Sequence, residues 1–90
     1  MNKNELISRV SESSGLTKAD ASRAVDSVLD SISASLSSKE EVRLAGFGTF
    51  TVSHRKATTG RNPRTGAPIQ IAASNMPKFR PGKGLREAVN

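Results

Sequence analysis

Residues 42–52 read VRLAGFGTFTV, and in them apolar residues recur at every second position, with a break in this alternation at the glycines. Val42 and Leu44 flank a charged residue, and the same alternation resumes after the GFG triplet. Alternation with a period of two is typical of half-buried strands, and the phase slip at the glycines indicates a turn. The stretch therefore predicts two strands joined by a turn. A phosphate-binding loop is disfavoured, because such a loop should open a helix and strand-like residues follow here.

Two helices are predicted ahead of these strands. Residues 2–14 begin with Asn2 and Glu5 at capping-box spacing, and Gly15 is a typical C-terminal stop. In residues 18–37, apolar side chains recur every three or four positions, which predicts a long amphipathic helix capped by Thr17.

Residues 53–75 have a different composition, with Ile69 and Ile71 as the only large apolar side chains. Their centre, GRNPRTGAP at 60–68, has nothing that could anchor a core. Asn-Pro favours a turn with Pro63 at its second position, and Gly66 can adopt a positive φ just after it. We expect a long hairpin arm with its tip at residues 61–66.

The chain then returns and ends. Residues 76–80 are predicted to form a strand, Pro81 and Gly82 break it, and residues 83–89 are predicted to form a short helix. The expected fold is α+β in a single domain of 90 residues. Residues 1–52 and 76–90 form its body, and residues 53–75 form its arm.

Charge is strongly polarised along the sequence. Residues 42–86 contain nine Lys or Arg and no acid, whereas the rest of the chain has five bases and eight acids. Solubility alone would not exclude every acid from such a stretch. The pattern predicts a surface that binds a polyanion.

Catalysis and metal binding find little support. The chain has no Cys, so disulfides and thiolate metal sites are excluded. His54 is the only histidine, it has no acid within ten positions, and we interpret it as a solvated strand residue. We expect no enzyme activity, no cofactor and no metal. No apolar run approaches the length of a membrane span, so we expect no membrane partner and a cytoplasmic location.

A homodimer is expected because the body is small. It contains three Phe and no Trp or Tyr, and domains of this size usually need a disulfide, a metal or a partner for stability. The second helix and the Phe residues are the expected interface, with these members: Val25, Val28, Leu29, Ile32, Leu36, Leu44, Phe47, Phe50 and Phe79.

Nucleic acid is the polyanion that best suits the arm. Arg61 and Arg64 can enter a narrow groove of negative potential. Pro63 has no N–H to desolvate, and its compact ring can wedge between base pairs and kink a duplex. The remaining bases of the acid-free stretch that can meet phosphates are Arg55, Lys56, Lys78, Arg80, Lys83 and Arg86.

From end to end the chain resembles the bacterial histone-like DNA-binding proteins of the HU and integration host factor family. The resemblance rests on the opening MNKNELI, the turn GFGTF, the tip GRNPRTG and the close FRPGKGLREAVN. It implies an intertwined dimer with a helical base and two β-ribbon arms that hold DNA in the minor groove. The implied role is to bend, compact and stabilise chromosomal DNA in the bacterial nucleoid, with little sequence preference. Because a wedge at Pro63 must unstack a base step and a nick or bulge has already met part of that cost, we also expect a preference for bent, nicked or bulged duplexes.

The resemblance also implies a set of DNA-binding residues. Pro63 would intercalate, Arg61, Asn62 and Arg64 would line the groove, and Arg55 would contact the backbone. The full candidate set is Lys3, Arg55, Lys56, Arg61, Asn62, Pro63, Arg64, Thr65, Lys78, Arg80, Lys83 and Arg86. The neutral Thr58 stands where many relatives have a base, and Pro68 removes a ladder donor.

Two alternatives remain open from the sequence. The chain could be one subunit of an integration-host-factor-like heterodimer with a preferred DNA site. A basic dimeric scaffold for RNA or another polyanion is the second alternative, although residues 53–75 lack the aromatics that single-stranded RNA readers use for stacking.

Overall fold

The computed structural model describes residues 1–90, which divide into two compact units. The helical unit is Met1–Ala34 and the sheet unit is Ser35–Asn90. Helices are α1 (Lys3–Ser14), α2 (Lys18–Ser37) and α3 (Lys83–Ala88). Strands are β1 (Val42–Leu44), β2 (Gly48–Arg55), β3 (Thr58–Arg61), β4 (Pro68–Ile71) and β5 (Ser74–Pro81). The mixed α+β composition predicted from the sequence is confirmed.

The ends of the first two helices are where the capping residues place them. The Glu5 N–H donates to Asn2 Oδ1 at 2.9 Å, and the Asp20 N–H donates to Thr17 Oγ1 at 3.1 Å. These side chains satisfy backbone donors that have no partner inside the helix. Gly15 ends α1 in the left-handed region, with φ 78°.

The helical unit buries few side chains. Ala21 is fully buried and Val25 is 8% exposed. Beside them lies an open apolar groove of about 270 Å³, to which both helices contribute: its lining is Leu6, Val10, Ala24, Val25, Val28 and Leu29. The amphipathic pattern therefore supplies an apolar face that this unit covers only in part.

The sheet unit contains two antiparallel sheets. The larger has the order β1-β2-β5, and the smaller pairs β3 with β4. Strand β5 is longer than predicted, because its pairing with β2 extends to Ser74 and Pro81. The predicted arm is thus not one continuous ladder: residues 53–55 still pair with β5, and a separate ladder holds the outer part.

The turn between β1 and β2 occupies residues 45–47, one position earlier than the GFG triplet suggested. Gly46 has φ 80° and Phe47 N–H donates to the Leu44 carbonyl at 3.0 Å. Gly48 already belongs to β2 and is buried. A Cβ at position 48 would lie 2.7 Å from the Arg80 carbonyl oxygen and would also clash with the Phe79 ring.

Substitutions of Gly46 in the turn and of Gly48 at the start of β2 should therefore lower the free energy of unfolding by different amounts. Gly48→Ala should destabilise the protein by about 2–3 kcal/mol, because the methyl group overpacks backbone and ring. Gly46→Ala has open space and should cost only about 1–2 kcal/mol through its left-handed conformation. Urea unfolding at one fixed protein concentration measures both. Equal stability of the two variants would contradict the steric role of Gly48.

Candidate nucleic-acid interface

The pairing of β2 with β5 separates basic from apolar side chains. Along β2, Thr49, Thr51, Ser53 and Arg55 share one side of the sheet, and their direct partners on β5 are Arg80, Lys78, Met76 and Ser74. Paired residues project to the same side. Arg55, Lys78 and Arg80, predicted separately from the sequence, therefore lie on one surface, which we call the basic face.

The opposite side of the same ladder is apolar at its two middle pairs. It presents Phe50 with its partner Phe79, and Val52 with Pro77. The rings of Phe50 and Phe79 are tilted with centroids 4.8 Å apart, and Phe47 meets Phe79 at 5.6 Å. Such aromatic pairs stabilise beyond their buried area. The aromatic cluster therefore supports the basic face from behind.

Strand β1 adds a base that the sequence analysis did not select. Arg43 pairs with Thr49, whose partner on the other side is Arg80. The three residues form one row across the sheet, so Arg43 belongs to the basic face. Its alternation with Val42 and Leu44 indicates only that Arg43 projects to the side opposite these apolar residues, and the pairing alone shows that it lies in one row with Arg80.

The outer ladder continues the register of the inner one. Arg55 pairs with Ser74 and, three residues further along each strand, Thr58 pairs with Ile71. No residue is therefore inserted between the ladders, and within the outer ladder Thr59 and Arg61 share one side. Lys56 lies in the unpaired segment between β2 and β3, exposed.

Pro68 occupies the end of the outer ladder. It is the first residue of β4 and faces Arg61, at the pair nearest the tip. A proline at the first position of a strand costs the ladder little. The neutral Thr58 pairs with Ile71 at the other end of this ladder.

The tip at residues 62–66 is organised around Asn62, which is half-buried. Asn62 N–H donates to the Ala67 carbonyl and its own carbonyl accepts from the Gly66 N–H, both at 2.8 Å. Its side-chain Oδ1 accepts from the Arg64 N–H at 2.8 Å. Gly66 adopts φ 69°, as expected from the sequence. These bonds close a turn that leaves Pro63 exposed.

The other predicted tip residues frame this turn. Thr65 Oγ1 accepts from the Ala67 N–H at 3.3 Å, and the Arg61 guanidinium donates to the Gly66 carbonyl at 3.5 Å. The Arg64 side chain has no hydrogen-bond partner and is exposed. Its guanidinium is thus free to meet a ligand.

Helix α3 carries Lys83 and Arg86. Both side chains line a shallow cleft with Glu87 and Asn90, and Lys83 Nζ lies 3.9 Å from Glu87 Oε1. A Cβ at Gly84 would lie 2.7 Å from the Gly46 carbonyl oxygen, so α3 packs directly against the β1–β2 turn. This close approach fixes Lys83 and Arg86 relative to the sheet.

Lys3 lies in the helical unit and is already paired. Its Nζ donates to Asp26 Oδ1 at 2.5 Å. The hydrogen bond to Asp26 and the charge of that carboxylate raise the pKa of the Lys3 ammonium above its ordinary value. Lys3 therefore stays cationic at neutral pH.

His54 lies on the side of β2 opposite the basic face. It pairs directly with Asn75, and its Nδ1 is 2.9 Å from Asn75 Oδ1. This cross-strand contact lies just before the unpaired segment of the arm.

No helix of the protein is both long and apolar enough to cross a membrane.

Comparison with known proteins agrees with this geometry. A family model described as "Bacterial DNA-binding protein" matches residues 1–90. The chain belongs to this family. A relative and a solved structure named HU also match the chain, which confirms the predicted resemblance to HU proteins.

Relatives in the bacterial DNA-binding protein family match over essentially their whole length. The chain is 64% identical to "DNA-binding protein HRL53" of Rhizobium leguminosarum, covering 100% of this chain and 99% of the relative. It is 54% identical to "DNA-binding protein HU" of Geobacillus stearothermophilus, with 99% of each covered.

Solved structures share the fold. An Anabaena HU–DNA cocrystal structure matches with a TM-score of 0.90 and 42% identity, covering 99% of this chain and 97% of that one. HU from Thermotoga maritima matches with a TM-score of 0.70 and 33% identity, covering 100% of both chains.

The bonds of Asn62 generate a prediction for the tip. Asn62→Ala removes the Oδ1 acceptor of the Arg64 N–H, so residues 63–66 should become more mobile. Asn62→Asp keeps that acceptor and should stay as ordered as the native tip. Backbone ¹⁵N relaxation order parameters, which report ps–ns motion, measure the difference. Equal order in the two variants would show that the side chain does not hold the turn.

Proposed function

We propose that the protein binds double-stranded DNA with little sequence specificity and bends and compacts it. The observation that carries this is the basic face, whose register continues along the arm to a tip that presents Pro63. We infer that it acts on chromosomal DNA in the nucleoid of the bacterial cytoplasm. Neither a cofactor nor a metal is part of the proposal.

Phosphates are the groups that the basic face would bind. Arg55, Lys78 and Arg80 are exposed, and none of the four ion pairs in the structure involves them. Their charges are therefore available to neutralise phosphates and release counterions, a contribution that does not depend on base sequence. Lys83 and Arg86 on α3 would add backbone contacts, as would Lys3 in exchange for its bond with Asp26.

The arm would enter the minor groove. Arg61 and Arg64 would be attracted to its negative potential, with Asn62 and Thr65 beside them. Architectural proteins of the minor groove, HU among them, insert apolar side chains between base steps and kink the duplex. The exposed ring of Pro63, held out by the bonds of Asn62, suits this role.

The active form would be a homodimer, with body and arm divided as the sequence suggests. One chain has no large side chain that is fully buried, and Val28, Leu29, Leu44, Phe47 and Phe79 are 39–57% exposed. Ile32, Leu36 and Phe50 are half-buried. A second copy that covers these residues and the apolar groove would supply the burial that a body of this size lacks.

Val28→Asp tests the dimer. Val28 is 57% exposed in one chain, so an isolated monomer would tolerate the carboxylate, whereas a buried interface would not. We expect the variant to sediment as a monomer, and the native protein to gain thermal stability with concentration. Ser27→Asp, at the neighbouring exposed position about 100° further around α2, is the matched control and should remain dimeric. A native protein that is monomeric at tens of micromolar would overturn the proposal.

Pro63→Ala and Lys78→Ala should distinguish the contribution of the Pro63 ring to DNA bending from the contribution of basic side chains to phosphate binding. Unstacking a base step costs a few kcal/mol, and a nick or bulge has already met part of that cost. Pro63→Ala should therefore reduce the bend and the preference for nicked DNA, while its salt dependence stays native. Lys78→Ala should keep the bend and lower the log–log salt slope by about 0.9 per lost phosphate.

Energy transfer between dyes at the duplex ends reports the bend, and titrations at several salt concentrations report the slope. A native bend in Pro63→Ala would show that the tip acts only through its arginines. The same titrations with matched RNA and with varied duplex sequences test the two alternatives. Equal affinity for RNA would favour the polyanion scaffold, and strong sequence preference would favour the integration-host-factor-like subunit.

A further inference from the structure

We propose that Arg43 is an additional phosphate-binding residue at the outer edge of the sheet, and that Glu41 occupies its guanidinium until DNA replaces it. The inference rests on the proposed DNA binding and extends the surface that performs it. It assigns a function to a strand that the sequence analysis treated only as framework.

The register of three strands gives Arg43 its place. Arg43, Thr49 and Arg80 are direct partners in turn across β1, β2 and β5. Strands lie about 4.8 Å apart, so the backbone of Arg43 is about 10 Å from that of Arg80. The space between them holds only the small side chain of Thr49. A DNA backbone on the basic face could therefore meet both guanidinium groups.

Glu41 is the acid that pairs with Arg43. Arg43 Nη2 lies 3.3 Å from Glu41 Oε1, and the two side chains are 79% and 49% exposed. Exposed ion pairs of this kind contribute at most about 1 kcal/mol, because water screens them. A phosphate can bind the same planar guanidinium through two parallel hydrogen bonds. A phosphate of DNA should therefore bind Arg43 more strongly than Glu41 does. The loss of the Glu41 contact offsets only part of the free energy gained from the phosphate.

The Glu41–Arg43 pair also marks the edge of the basic face. Glu40 and Glu41 are the last acids before the acid-free stretch, and no other acid follows until Glu87. An uncompensated carboxylate at this edge would repel DNA. Glu41 is paired with Arg43 in the free protein, and after a phosphate displaces it, its carboxylate would reduce the gain from the new contact.

A double substitution tests the assignment without changing net charge. Glu41→Gln with Arg43→Gln removes both charges from the edge of the sheet. If Arg43 binds one phosphate per subunit, the log–log salt slope should fall by about 0.9 per contact, or about 1.8 per dimer. Arg43→Lys keeps the charge and should retain the native slope, although its affinity should fall because the bidentate geometry is lost.

The chain offers a closely matched control. Arg23 and Asp20 form an exposed ion pair on α2, with side chains 82% and 47% exposed. Asp20→Asn with Arg23→Gln removes a pair of the same kind from the acidic part of the chain. This variant should bind DNA with native affinity and slope.

Three outcomes are distinguishable. A lowered slope in the Glu41/Arg43 variant alone supports the assignment. A native slope in that variant, while Lys78→Ala lowers it, would show that Arg43 is only solvated and would overturn the inference. If the native protein itself bound DNA weakly and without salt dependence, the proposed function would fail first, before any variant was compared.

Discussion

The antiparallel pairing of β2 with β5 is the interaction on which the rest of the molecule depends. Eight consecutive residue pairs, from Gly48–Pro81 to Arg55–Ser74, fix which side chains share a surface. A slip of one residue would exchange the two sides and put Phe50 among the bases. The aromatic cluster on one side and the close approach of Gly48 to Phe79 hold that register. Charge segregation in this protein is thus a consequence of strand pairing.

The arm shows how a segment without a core can still be ordered at its end. Its outer ladder has four residue pairs, and every residue in them except Gly60 is exposed. Order at the tip comes from local hydrogen bonds around Asn62 instead of from burial. Such bonds contribute about 1 kcal/mol each. This is enough to favour one conformation of a short turn although the turn stays exposed to solvent. Pro63 thus stays accessible while its backbone is held.

Both units leave apolar surface open. The helical unit buries only Ala21 and Val25, and in the sheet unit the Phe47 and Phe79 rings remain about half exposed. A chain of this size gains little stability from a core of its own. The proposed dimer therefore links folding to DNA binding, since the same association that covers these residues would place two basic faces on one particle.

Much of the fold could be predicted from the sequence because the relevant signals are local. Capping by Asn2 and Thr17, the stop at Gly15 and the left-handed Gly66 depend only on neighbouring residues, and each is where the sequence predicts it. The acid-free stretch and the Asn-Pro tip are equally local, and they carried the functional prediction. Pairing decided what the sequence could not: the extension of β5 to Ser74, the division of the arm into two ladders, and the place of Arg43 beside Arg80. These features depend on which residues meet across strands, and contacts between distant positions leave no periodic trace in either strand alone.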